Sequence, residues 1–92
     1  MCEIKGKLIV IENEEIVGTS NFKKRIFVVE TNEQFPQSIQ LELHQDRVDL
    51  LDPYQVGDEV CVSVNLRGKP FSKPLEKTKY FNTIVAWKIQ KT

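Results

Sequence analysis

Asp46-Arg47-Val48-Asp49-Leu50-Leu51-Asp52-Pro53-Tyr54 lies between two strand-like patterns, and its reading decides the fold. Val48, Leu50 and Leu51 make a small apolar patch, Asp46 is a residue type that caps helix starts, and Pro53 blocks continuation. The stretch therefore predicts one or two helical turns. Before it, Ser38 to His44 alternates cleanly, with Ile39, Leu41 and Leu43 on one side and Gln40, Glu42 and His44 on the other. After it, Val56-Gly57-Asp58-Glu59-Val60 turns the chain into Val60-Cys61-Val62-Ser63-Val64-Asn65-Leu66. That run has the period of two expected of a half-buried strand.

Working outward, Cys2 to Glu12 reads as a long first strand interrupted by Gly6. A glycine inside a strand marks a bend, a bulge or a close backbone approach. Asn13 to Asn21 is polar and reads as a loop. Phe22 to Thr31 is the second strand, with Phe27 and Val29 assigned to the core and Phe22, Lys24 and Ile26 outward. The last strand runs from Tyr80 to about Gln90. The order is then strand, strand, strand, short helix, strand, strand. For strands of this length, closure removes the edges that a small open sheet exposes. The reading is all-β: a five-stranded OB-fold barrel with one short helix between strands 3 and 4, and one domain over residues 1–92. An SH3-like barrel and an open α+β sheet are the runners-up, and the position of the helix favours the OB barrel.

Composition sets further bounds. The chain has 92 residues, 40% hydrophobic and 28% charged, with zero formal net charge. This is a globular composition, and no apolar run is long enough to span a bilayer. With no signal-peptide pattern at the start, the expectation is a cytoplasmic protein without a membrane role. Cys2 and Cys61 are too few for a disulfide framework, and antiparallel pairing of strands 1 and 4 sets Cys2 nearer Asn65 than Cys61, so two free thiols are expected. The neutral total hides a strong segregation. Residues 30–59 carry eight acids against Arg47, while cations gather at Lys23-Lys24-Arg25 and between Arg67 and Lys79.

That second cluster, Arg67-Gly68-Lys69-Pro70-Phe71-Ser72-Lys73-Pro74-Leu75-Glu76-Lys77-Thr78-Lys79, has a net charge of +4 and an aromatic within it. It reads as a long cationic hairpin loop. Cations that follow phosphates beside aromatics that stack on bases are what binding of a single nucleic-acid strand requires. If the two clusters share a face, a positive groove survives on a neutral protein. Lys23, Lys24, Arg25, Arg67, Lys69, Lys73, Lys77 and Lys79 are the backbone-binding candidates, and Phe22, Phe71 and Tyr80 the stacking candidates. Tyr80 and Phe81 alternate faces, so one of them is expected buried and the other exposed. Trp87, beside Ile89, is read as core or interface. Catalysis has no support, since His44 is the one histidine and no nucleophile–base spacing accompanies it. Asp46, Asp49 and Asp52 are ordinary helix-start acids rather than a metal face. No cofactor is expected.

The sequence also resembles a family. Ile4-Lys5-Gly6-Lys7-Leu8, Glu30 to Pro36, Val48-Asp49-Leu50-Leu51, Val56 to Val60, Tyr80-Phe81-Asn82 and Ala86-Trp87 resemble a small bacterial and phage domain family of unknown function, grouped with single-stranded-DNA-binding OB-fold proteins. The resemblance spans essentially the whole chain and implies the OB fold. By analogy with the superfamily it implies a single-stranded nucleic-acid ligand, DNA before RNA. The family pattern often has an aromatic where this chain has His44. After Trp87 no acidic tail follows, so recruitment of partners through such a tail is not expected. The rival reading is a protein-interaction or assembly module without nucleic-acid binding. Its basis is the second strand, apolar on both faces around Ile26 and Val28, which also predicts a homo-oligomer.

Overall fold

The computed structural model describes residues 2–19 and 21–92, with Cys2 described by its backbone alone. Among these residues six strands form: β1 (Cys2–Ile11), β2 (Glu15–Val17), β3 (Phe22–Thr31), β4 (Ser38–His44), β5 (Glu59–Phe71) and β6 (Lys79–Lys91). A 3-10 helix, Gln45–Leu51, separates β4 from β5. The sheet order is β1-β5-β6-β4-β3-β2, and an additional β1–β3 pairing closes it. The result is the OB-fold barrel of β1, β3, β4, β5 and β6, with β2 appended to β3.

Closure depends on β1 serving two neighbours. Its first half pairs with β5, from Cys2↔Val64 to Lys7↔Glu59, and its second half pairs with β3, from Gly6↔Thr31 to Ile11↔Phe27. Gly6 takes part in both ladders, and a Cβ on it would run into the carbonyl of Glu30. The backbones approach too closely there for any side chain. A bulge between Leu8 and Val10 adds the bend. The opposite seam is thin: β4 and β6 meet in a parallel bridge at Glu42↔Val85.

The core contains Leu8, Phe27, Val29, Leu41, Leu43, Val60, Val62, Val64 and Ala86, with Val48 and Leu51 of the helix plugging one end. Phe27 and Val29 thus take the inward register of β3, and the β4 alternation holds at every position. Burial of each valine, leucine and phenylalanine among them contributes about 1.5–3 kcal/mol, opposed by the entropy of ordering the chain.

Four local expectations change. Glu15–Val17, expected as loop, is a strand paired with Val17↔Phe22 through Glu15↔Lys24; Ser20, in the same stretch, lies outside the described residues. The helix begins at Gln45, in the left-handed region (φ 56°), with His44 in the cap position. Asp46 therefore sits in the first turn rather than capping it. Ile26 and Val28 are half-buried within one chain, so the second strand leaves a smaller apolar excess than its sequence suggests.

The largest change is the hairpin. Most of the expected 67–79 loop is strand: β5 continues to Phe71, paired through Phe71↔Lys79 with β6, and only residues 72–78 turn. Among the described residues neither strand has another partner beyond Val64 and Val85, so the two project as an arm about 20 Å long. Pro70 is tolerated because β5 of the arm has a free edge, where no ladder hydrogen bond is lost.

Candidate functional site

An open groove of about 690 Å³ runs over the outer face of β3 and β4, between β2 and the base of the arm. Its walls carry Phe22 and Lys24 of β3, Glu42 and His44 of β4, Arg67 and Lys69 of β5, and Phe81 and Thr83 of β6. Alternation delivers these residues. On β3 the register opposite to Phe27 and Val29 presents Phe22 and Lys24, and on β4 the register opposite to Leu41 and Leu43 presents Glu42 and His44. In the arm, the pairs Arg67↔Thr83, Lys69↔Phe81 and Phe71↔Lys79 place all six side chains on one face.

At the arm's tip a smaller hollow is lined by Phe71, Lys73, Glu76, Lys77, Lys79 and Phe81. Phe71 and Phe81 meet edge to face with ring centroids 6.2 Å apart, and the Lys73 ammonium sits 5.5 Å over the Phe71 ring. Phe81 lines both hollows and joins them. Ser72 and Thr78 hydroxyls, 3.1 Å apart, close the turn.

Six of the expected cations therefore border one continuous surface: Lys24, Arg67 and Lys69 in the groove, and Lys73, Lys77 and Lys79 at the tip. Lys24 is also 4.0 Å from Glu15. Two expected cations do not join them. Lys23 and Arg25 share the register of Phe27, and Arg25 is a structural clamp. Its Nε donates to the Glu12 carbonyl at 2.8 Å, and Nη1 donates to the Val48 carbonyl at 3.1 Å and to Asp52 at 3.0 Å. This ties the end of β1 to the helix and commits the guanidinium, through Nε and Nη1, to the fold. Lys23 is exposed on the same side as Arg25, away from the groove.

Tyr80 is displaced as well. Tyr80 and Phe81 are both exposed, at 71% and 58%, because the arm stands clear of the core. Phe81, not Tyr80, faces the groove. A bulge sets this outcome: Ser63 pairs with Lys88 and Val64 with Ala86, leaving Trp87 as the extra residue. Ile89 packs against the core on one side of the bulge and Ala86 lies in it on the other, so the parity of inward positions flips. With uninterrupted alternation from Ile89, Phe81 would point inward and Tyr80 outward. The signal in sequence was the run Ile84-Val85-Ala86-Trp87, which lacks alternation. Trp87 itself is half-buried and outside the core cluster.

His44 donates from Nε2 to Glu42 Oε1 at 2.9 Å, since an ionised carboxylate can only accept. Its ring meets Phe22 edge to face at 4.8 Å. Among the described residues no three His, Cys, Asp or Glu side chains converge as metal ligands; Asp52 instead pairs with Arg25. Cys61 has a free thiol whose pKa is raised, first by burial and then by the Glu3 carboxylate. In β1–β5 pairing Cys2 is opposite Val64, three residues from Cys61; the Cys2 side chain lies outside the described residues.

The model of the domain family of unknown function DUF3127 matches residues 3–90. The chain belongs to that family. No curated protein matches the DUF3127 chain in sequence. Among solved structures it is similar to two crystal forms of the mitochondrial single-stranded DNA binding protein Rim1 from S. cerevisiae. One aligns with TM-score 0.75 at 13% identity and the other with 0.73 at 12%, each over 98% of this chain and 91% of the other. At such identity the likeness establishes the fold. No helix among the described residues of the DUF3127 chain is long and apolar enough to cross a membrane.

Proposed function

We propose that this DUF3127 domain binds single-stranded nucleic acid, DNA in preference to RNA, as a non-catalytic binder. The observation that carries the reading is the position of the groove. It covers the outer face of β3 and β4, flanked by β2 and by the β5–β6 arm, which is the surface OB folds use for oligonucleotides. It is there that six cations and the aromatics Phe22, Phe71 and Phe81 come together, although the chain as a whole is neutral. Cations along such a track follow the phosphates and the rings stack on bases, each stack contributing about 1–3 kcal/mol. The likeness to Rim1, a single-stranded DNA binding protein, supports DNA as the ligand. The test is a fluorescence-anisotropy titration with labelled single-stranded DNA and RNA at low salt. Micromolar or tighter binding is expected, and no binding to either strand refutes the proposal.

A second reading, assembly with further copies of the chain, is favoured by the other face of the arm. The pairs Leu66↔Ile84 and Pro70↔Tyr80 lie opposite the cationic face, and Leu66 and Tyr80 are each 71% exposed. Light scattering should then exceed the 10.7 kDa monomer mass, and the double substitution Leu66→Lys with Tyr80→Lys should restore it. The two readings are compatible because they use opposite faces.

A further inference from the structure

Glu42 is out of place in a groove made only for phosphates. Its carboxylate sits among Lys24, Arg67 and Lys69, where it repels the backbone those cations attract. It is also costly to keep: the side chain is only 18% exposed and its neighbours across the ladders are Ile26 and Val85. What holds it is His44. The imidazole donates to Oε1 at 2.9 Å and is itself propped by the Phe22 ring at 4.8 Å. Among the described residues no side chain donates to Oε2, yet no buried polar atom is left without a partner. The free oxygen therefore opens onto the groove.

We infer that Glu42, oriented by His44, reads a base edge and selects guanine. The inference rests on the proposed binding of single-stranded nucleic acid and adds sequence preference to it. Single strands expose the Watson–Crick edges of their bases, and recognition there is by hydrogen bonds to those edges and by stacking. An ionised carboxylate only accepts, with four lone-pair sites on two oxygens. Guanine presents two donors side by side, N1–H and the N2 amino group. Cytosine and adenine each place a ring acceptor next to their amino donor, and thymine flanks its single N3–H with two carbonyls. Only guanine meets a carboxylate without an opposed acceptor. Phe22 and Phe81 line the same groove and offer rings to the base, while Arg67 on the arm supplies donors suited to guanine O6 and N7.

The test uses deoxythymidine strands of about fifteen nucleotides, within the length OB folds occupy, carrying one central guanine, inosine, cytosine, adenine or thymine. Isolated guanines avoid self-association of the probe. The guanine strand should bind about 5- to 100-fold more tightly than the thymine strand, as one good bidentate contact implies. Inosine keeps N1–H and lacks the amino group, so it should lose most of the gain with no change to the protein. Glu42→Gln replaces one acceptor by a donor and removes the negative charge. It should abolish the guanine preference and tighten the thymine strand, because a charge that repels phosphates is gone. Equal affinity for all five strands, a preference that persists with inosine, or one that survives Glu42→Gln overturns the assignment of Glu42 while leaving binding intact. Failure of every strand to bind overturns the proposed function and this inference with it.

Discussion

Arg25 and Arg67 make opposite demands on an experiment, and the contrast separates binding from folding. Arg67 and Lys69 lie on the groove face of the arm and are exposed, whereas Arg25 is spent on Glu12, Val48 and Asp52. Each phosphate neutralised on a single strand contributes about −0.7 to the slope of log affinity against log salt. Engagement of all six cations along the groove and tip gives a slope of about −4, or a loss of about 300-fold between 50 and 200 mM salt. The double substitution Arg67→Gln with Lys69→Gln removes two contacts. It should flatten the slope by about 1.4, so that the same rise in salt costs about 50-fold. Arg25→Gln should leave the slope unchanged. It should instead lower stability by about 2 kcal/mol, because charge-assisted bonds to two carbonyls and a partly screened carboxylate are lost. The assays are anisotropy titration at several salt concentrations and urea unfolding of each variant. If Arg25→Gln flattens the slope as much as the double variant does, or the double variant leaves the slope untouched, the assignment of cations to the groove is wrong.

The remaining expectations follow from single contacts. Phe81→Ala should weaken single-strand binding by about 1–3 kcal/mol without altering the salt slope, since stacking releases no counterions, and Tyr80→Ala should cost less; titration of both shows whether the bulge has set the correct ring in the groove. Gly6→Ala should destabilise the barrel by about 2–3 kcal/mol in denaturant unfolding, as a Cβ there meets the Glu30 backbone and forces two ladders apart; an unchanged midpoint would show that the approach is looser. Burial and Glu3 raise the Cys61 thiol, so its neutral form contributes stability that is present below the ordinary thiol pKa and lost as pH rises above it. Alkylation of Cys61 in a Cys2→Ser variant should therefore be slower at pH 8 in the folded protein than after denaturation, and a faster folded-state rate would contradict the placement.

Much of the barrel is legible in the sequence. The alternation from Ser38 to His44 identifies both its core face and the face that carries Glu42 and His44, because each residue of a strand changes side. The helix between the third and fourth strands, the bend at Gly6 and the inward register of Phe27 and Val29 follow from local chemistry in the same way. The cationic segment was legible as composition, and it includes five of the six cations that border the surface.

What remained was decided by contacts between residues distant in the chain. Glu15 to Val17 has too little pattern to be read as a strand, and becomes one only because the edge of β3 lies beside it. Arg25 is indistinguishable from Lys24 in sequence until the helix carbonyl of Val48 and the Asp52 carboxylate come within hydrogen-bond reach. The arm could not be separated from a loop because Gly68 and Pro70 are poor strand formers, yet one paired strand and a free edge are enough to hold them extended. The choice between Tyr80 and Phe81 turned on the extra residue at Trp87. Sequence alternation carries no memory across a bulge, and only the pairing of β5 with β6 shows where the count slips.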